Sequence, residues 1–202
     1  MKGGLLSADG RMLASARVDL LKNRPEPFSG WDAGNWSAGL RLLTRRLPAV
    51  KPEGIVISGN GPTLVPLGGD GRPVHPALMW IDKNEKTVAG QRSLFLPKAA
   101  WFRDERPGEY ERTRVFLPCP EYLSFLLSGE EFAVSPSGEF SEYLWTGKSL
   151  ESFGLDAGKF PAIVPPGTKT GAVTAAASRR FGLPAGMPVY SGGPDFLMSL
   201  LG

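Results

Sequence analysis

One acidic residue follows a pair of glycines at the end of an apolar segment, an arrangement that suits a catalytic carboxylate. The segment runs from Gly186 to Phe196 and places Gly192 and Gly193 before Asp195. Glycines permit backbone turns that other residues resist, and they let a substrate or phosphate approach closely. An aspartate at a strand's carboxyl end lies where open α/β sheets bind ligands. We predict Asp195 as a general base beside a ligand-binding glycine turn; the alternative is an ordinary surface turn, in which the same residue types dominate.

The elements that must position Asp195 follow an α/β pattern. Two apolar runs on either side of Ala8-Asp9-Gly10-Arg11 predict a hairpin near the start of the chain. Apolar residues at helical spacing predict an amphipathic helix from Asp32 to about Leu47, and residues 54–58 predict a short buried strand. A helix that leads into an apolar strand favours a partly parallel sheet.

The remaining pattern predicts shorter elements. Extended runs at 63–67 and 77–82, joined by a glycine-rich turn, predict a second hairpin. Prolines 107, 118 and 120 are expected to break the helical region between residues 83 and 129. Other predicted segments are helices at 98–102, 121–127, 142–145 and 174–181, and an extended connection at 160–167.

The composition of the chain argues against some classes of function. The chain has 202 residues, of which 42% are hydrophobic, enough for one substantial core in one or two domains. Its 23 basic and 20 acidic residues are interspersed, so no arm for nucleic acid is predicted. No apolar run approaches the roughly 20 residues that span a bilayer, and no secretory signal is evident. We expect a soluble, cytoplasmic protein without nucleic-acid or membrane partners.

Thiol chemistry is not favoured. Cys119 lies between Pro118 and Pro120, and the sole histidine, His75, follows Pro73 in a predicted turn. A single cysteine cannot form an internal disulfide, which fits a reducing compartment.

A series of short motifs resembles the FGGY family of carbohydrate kinases, and their order along the chain carries the resemblance. Agreement among many local signals is stronger than any single motif. The matching segments are 57–61, 76–82, 96–101, 121–130, 153–156, 160–164, 171–174, 181–189 and 191–202.

The resemblance implies transfer of the γ-phosphate of ATP, with Mg²⁺, to a hydroxyl of a sugar or polyol. It implies a ribonuclease H-like (actin-like ATPase) α/β fold with a mixed central sheet flanked by helices, and residues 1–202 match the N-terminal, sugar-binding domain. The family's catalytic base matches Asp195, with Gly192 and Gly193 on the cofactor side. A carboxylate that orients and deprotonates the attacking hydroxyl suits phosphoryl transfer. A homodimer is left open.

The resemblance also implies sugar contacts from Asn60, Trp80 and Asp82. Trp80 offers an apolar wall, and the two polar residues offer hydrogen bonds. The residues themselves allow another interpretation, in which Trp80 is a core residue of the second hairpin and Asp82 caps a helix. The sugar stays undefined, because Gly61-Pro62-Thr63 stands where many xylulose kinases have Met-His-Gly and glycerol kinases have Arg-Glu.

Some features of the family are not matched. Its members begin with a strand and an Asp-Gly-Thr-Thr-like loop that holds phosphates and helps bind the metal, and Met1 to Gly4 match the region just after it. No Walker-type loop replaces it, no metal ligand is predicted, and the second, nucleotide-binding domain is unmatched. We therefore expect this domain to be incomplete at its N-terminus, to expose sheet edges, and to be inactive alone. The alternatives are a non-catalytic sugar-binding or interaction module with the same fold, or an α/β domain with an unrelated role.

Overall fold

A computed structural model describes residues 1–20, 31–48 and 50–201, which form nine strands and eight α-helices. The strands are β1 (Lys2–Leu6), β2 (Met12–Arg17), β3 (Ile55–Ser58), β4 (Leu64–Leu67), β5 (Val115–Pro118), β6 (Ala133–Val134), β7 (Ile163–Val164), β8 (Lys169–Ala172) and β9 (Pro188–Gly193). The helices are α1 (Ala33–Arg46), α2 (Leu96–Glu105), α3 (Pro107–Arg112), α4 (Cys119–Ser128), α5 (Ser141–Leu144), α6 (Gly147–Phe153), α7 (Ala175–Phe181) and α8 (Asp195–Leu201).

The predicted N-terminal hairpin is confirmed. β1 and β2 pair antiparallel, and the amide of Ser7 donates to the carbonyl of Arg11 across the turn, at 2.9 Å. The hairpin packs on α1, where a Cβ added to Gly3 would lie 2.8 Å from the Leu43 side chain. Because glycine has no side chain at this contact, β1 can lie directly against the helix.

The central sheet is mixed, as predicted. β3 runs parallel to β9, and β8 runs antiparallel to β9 on its other side. The prediction that residues 54–58 form a buried strand is wrong in one respect: exposed and partly buried residues alternate along β3, and Val56 is 58% exposed. The reason is that the described residues leave uncovered the face of β3 that carries Val56.

The predicted second hairpin forms only in part. Isolated antiparallel bridges join Leu64 to Leu78 and Leu67 to Pro73. The continuous ladder of β4 is with β5, a strand that the sequence pattern did not predict. Pro73 and Pro76 lack the amide hydrogens that a continuous ladder from this segment would need.

Helix ends follow the predicted capping residues. The Asp32 side chain accepts from the amide of Gly34 at 2.7 Å and starts α1. Thr174 caps α7, which ends at Gly182 in the left-handed conformation. The prolines expected as breaks act differently: Pro107 and Pro120 lie in the first turns of α3 and α4, where a missing amide hydrogen costs nothing.

Two apolar clusters form the core. The first lies between the central sheet and helices α1, α4 and α7. The second, which we call the aromatic cluster, lies between strands β4 and β5 and helices α2 and α6, and its rings belong to Phe95, Phe102, Tyr110, Phe116, Trp145 and Phe160. In the described part of the chain, no helix has the length and apolar character to cross a bilayer.

Candidate active site

The loops that follow β3 and β9 meet at one edge of the central sheet, because parallel neighbours end on the same side. Asp195 begins α8 directly after β9, and its side chain is exposed. Its Oδ1 accepts hydrogen bonds from the amides of Gly61, at 3.0 Å, and Phe196, at 2.9 Å. Since both bonds go to Oδ1, Oδ2 is the oxygen that can accept a hydrogen bond from a ligand. The sequence did not reveal that the amide of Gly61 fixes this carboxylate.

Close packing accounts for the glycine pair. A Cβ on Gly192 would lie 2.1 Å from the carbonyl oxygen of Ile57, so β9 and β3 approach too closely for a side chain there. Gly193 has a φ of 101°, and a Cβ there would lie 3.0 Å from Val134. Both glycines are buried. Their space is thus filled by neighbouring protein, and they bend the chain so that Asp195 emerges at the edge.

Trp80 lies beside the same loop. Its side chain is 56% exposed, which excludes the interpretation as a core residue. A Cβ on Gly61 would lie 3.5 Å from Cδ1 of the Trp80 ring, so Trp80 and Asp195 flank Gly61. The amide of Trp80 donates to the buried Thr63 hydroxyl at 3.4 Å. An exposed indole next to a fixed carboxylate can form the apolar wall of a polar ligand site.

Asp82 closes a turn and does not cap a helix, because no helix begins there. Its Oδ2 accepts from the amide of Met79 at 2.7 Å, and its own amide donates to the Met79 carbonyl at 3.0 Å. Lys98 on α2 stabilises the turn, because its Nζ donates to the Asp82 carbonyl at 2.7 Å. The same Nζ lies 3.7 Å from Oε2 of Glu85. The side chain of Lys98 is only 4% exposed. Lys98 is a supporting residue that the sequence pattern did not indicate.

Asn60 is the only described residue other than glycine with a positive φ, at 48°. This left-handed conformation directs the loop from β3 towards Asp195. Burial raises the pKa of the Cys119 thiol to about 12, and the Asn60 side chain opposes the rise, so this thiol stays protonated at neutral pH.

The sheet edge is an open surface. A cavity of about 1260 Å³ lies between β1 and β3; Asn60 and Cys119 contribute to its lining, whereas Asp195, Trp80 and Asp82 do not. The structure thus brings Asp195, Trp80 and the Asn60 loop together. It places Asp82 one turn away.

The described residues do not form a complete Mg²⁺ site. Among residues 1–20, 31–48 and 50–201, no three acidic, histidine or cysteine side chains are grouped so that they could hold a metal ion. Asp195 contributes one carboxylate at the sheet edge, whereas Mg²⁺ needs six near-octahedral ligands.

The mixed sheet, its flanking helices and the aspartate at the shared strand end define an α/β domain of the actin-like ATPase class. Residues 85–202 match the N-terminal domain of the FGGY family of carbohydrate kinases, and the chain belongs to this family. The recognition made from the motif series is confirmed.

Individual relatives agree with this assignment. The chain is 27% identical over 233 residues to a xylulose kinase of Lactococcus lactis subsp. lactis, with 100% of the chain and 46% of the relative covered. It is 33% identical over 124 residues to an autoinducer-2 kinase of Klebsiella pneumoniae, which covers 57% of the chain and 23% of the relative. The crystal structure of xylulose kinase from Rhodospirillum rubrum superposes with a TM-score of 0.78 at 21% identity, over 96% of this chain and 47% of that one. The chain thus spans about half the length of the xylulose kinases that it matches.

Proposed function

We propose that these residues form the sugar-binding part of an ATP-dependent carbohydrate kinase, in which Asp195 is the general base for a hydroxyl of a sugar or polyol. The observation that carries the proposal is the hydrogen bond from the Gly61 amide to Oδ1 of Asp195. It holds the carboxylate at the sheet edge and leaves Oδ2 for the substrate hydroxyl. A base must lie within hydrogen-bond reach of the proton that it accepts, so a fixed carboxylate favours this role.

The substrate would lie against the Trp80 ring. The half-exposed indole beside Gly61 suits the apolar face of a sugar, and hydrogen bonds would come from Asp82 and Asn60. In the described conformation the Asp82 carboxylate accepts from the Met79 amide, so a sugar hydroxyl would have to share that oxygen or displace the amide.

ATP is the proposed phosphoryl donor, with Mg²⁺ as its counter-ion. Gly192 and Gly193 would border the cofactor through the backbone of the turn before Asp195. We further propose a cytoplasmic location, in keeping with the single reduced cysteine, and leave a homodimer as an outcome for sedimentation analysis.

The test of the base is Asp195→Asn in the complete kinase polypeptide that contains these residues. Turnover of ATP with D-xylulose, gluconate or glycerol should fall by roughly 10²- to 10⁴-fold, because general-base catalysis contributes about that much. The dissociation constant of the sugar should change little. Asp70→Asn is the matched control, since Asp70 is exposed in the turn after β4 and should leave turnover unchanged.

The second candidate function is a sugar-binding module without transfer activity. It is favoured by the absence of a complete metal site among the described residues. In that case calorimetry detects sugar binding that Trp80→Ala weakens, while no ATP is consumed and Asp195→Asn has no effect. Full turnover by Asp195→Asn would exclude Asp195 as the base.

A further inference from the structure

The position of the Trp80 ring depends on the backbone that carries it. The side chain is more than half exposed, and it lies against the backbone of Gly61. An exposed ring has fewer packing contacts than a core ring, which touches neighbours on all sides. The hydrogen bonds that fix the peptide groups around Trp80 therefore decide where the ring stands.

Two side chains bind the backbone amides that lead to the ring. The Asp82 carboxylate accepts from the Met79 amide at 2.7 Å, and the Thr63 hydroxyl accepts from the Trp80 amide at 3.4 Å. Asp82 belongs to the same turn as Trp80, so its bond moves with that turn. Thr63 lies 17 residues earlier in the chain, directly before β4, and so links the amide of Trp80 to the β4 strand.

Thr63 is itself held firmly. The residue is fully buried, and its carbonyl accepts from the amide of Cys119 at 3.2 Å. The next residue, Leu64, exchanges two backbone hydrogen bonds with Leu78, at 3.0 and 2.8 Å. The Thr63 hydroxyl also donates to Sδ of Met79 at 3.9 Å. Because a hydroxyl has one hydrogen to donate and lone pairs to accept, both functions of this group are directed to the turn that carries the ring.

The same loop fixes the candidate base. Gly61, two residues before Thr63, donates its amide hydrogen to Asp195. Pro62 lies between them, and its ring restricts the backbone to one φ value. A tripeptide thus holds the carboxylate at one end and the amide of Trp80 at the other.

We propose that Thr63 is a positioning residue for the sugar. Its hydroxyl fixes the Trp80 ring relative to Asp195, so that a sugar resting on the ring presents a hydroxyl to the carboxylate. The inference rests on the proposed function, in which Trp80 is the wall of the sugar site and Asp195 is the base. Thr63 is buried and acts through Trp80, so its loss should weaken sugar binding and leave the chemistry at Asp195 intact.

The test measures steady-state kinetics of the complete kinase polypeptide, with whichever of D-xylulose, gluconate and glycerol it phosphorylates. Thr63→Val keeps the shape of the side chain and removes the hydroxyl. The KM for the sugar should rise by about 3- to 10-fold, the worth of one hydrogen bond. The kcat and the KM for ATP should stay unchanged, the pattern of a lost binding contact. Thr63→Ser keeps the hydroxyl and should restore the KM; if Thr63→Val does not fold, Thr63→Ala is compared with Thr63→Ser.

Thr113→Val is the matched control. Thr113 is 1% exposed, and its hydroxyl donates to the carbonyl of Glu109 at 2.8 Å, at the end of α3. This substitution also removes a buried hydroxyl and should lower the unfolding temperature, yet it should leave the KM for the sugar unchanged. An equal rise in KM from Thr63→Val and Thr113→Val would show a general loss of structure and overturn the inference.

A double substitution shows whether Thr63 acts through Trp80. In a Trp80→Ala background, Thr63→Val should raise the KM no further, because residues that act as a unit are not additive. Additive effects, or an unchanged KM in Thr63→Val alone, overturn the inference and leave the proposed function standing. If Trp80→Ala does not weaken sugar binding, or Asp195→Asn keeps full turnover, the proposed function itself fails and the inference falls with it.

Discussion

Two short apolar strands in different regions of the molecule differ in how far their side chains are buried. In β5, beside the aromatic cluster, all four residues are buried, although β5 pairs with only one strand. In β3, beside the cavity between β1 and β3, a similarly apolar sequence alternates between partly buried and exposed residues. The difference lies in what covers the faces of each strand and does not lie in the composition of the strand.

Coverage in the first region comes from aromatic rings. Phe116 of β5 stacks on Phe160 with ring centres 5.2 Å apart and meets Phe102 edge-on at 6.0 Å. No such rings cover β3, which borders the open cavity between β1 and β3. An apolar run therefore predicts that a strand exists, while helices and loops distant in sequence decide whether it is buried.

The largest loss of stability should come from removing a buried ring of the aromatic cluster. Phe116→Ala removes a fully buried ring and should lower the free energy of unfolding by about 3–5 kcal/mol. Val56→Ala in β3 is the control and should change it by no more than about 0.5 kcal/mol, because Val56 is exposed. Urea denaturation measures both, and equal losses would contradict the contrast between the two regions.

The features that could be predicted from the sequence are those specified by a few neighbouring residues. Turn residues located the first hairpin, and Asp32 and Thr174 located helix starts, because capping and turn chemistry act within a few residues. The glycine pair likewise located the end of β9 and the aspartate that follows it. These features supply the part of the candidate site that could be predicted.

The failures share a different cause. The pairing of β4 with β5 joins segments about 50 residues apart across α2 and α3, so no local pattern specifies it. The hydrogen bond from Gly61 to Asp195 and the support of Asp82 by Lys98 also depend on tertiary packing. Propensity and periodicity do not contain that information.

A smaller effect should come from Glu121, a buried acid on α4. Glu121 in the first turn of α4 is fully buried, and neither carboxylate oxygen has a hydrogen-bond partner in the described structure. Burial raises its pKa to about 8, although the nearby amides of Glu121 and Val134 offset part of the rise.

The folded state therefore keeps a proton that the unfolded state loses above its ordinary pKa of 4.5. Stability should be greatest below that value and should fall as pH rises through about 8. Glu121→Gln should remove this slope and exceed the unsubstituted chain by on the order of 2–4 kcal/mol at high pH. Thermal unfolding from pH 5 to 9 measures it, and parallel curves would mean that water reaches the carboxylate.

The smallest loss of stability should come from changing Lys98. This residue lies on α2, beside the aromatic cluster, and donates to the Asp82 carbonyl near the candidate active site. Lys98→Met keeps the aliphatic stem and leaves the Asp82 carbonyl without its buried donor, so stability should fall by about 1–3 kcal/mol. Lys86→Met is the matched control: Lys86 pairs with Asp104, but its side chain is 55% exposed, so it should cost no more than about 1 kcal/mol. Because Lys98 holds the turn after Trp80, its loss should also weaken sugar binding in the complete kinase without changing the pH dependence of turnover. If Lys98→Met and Lys86→Met cost the same, or if sugar affinity is unaffected, the turn does not depend on the buried lysine.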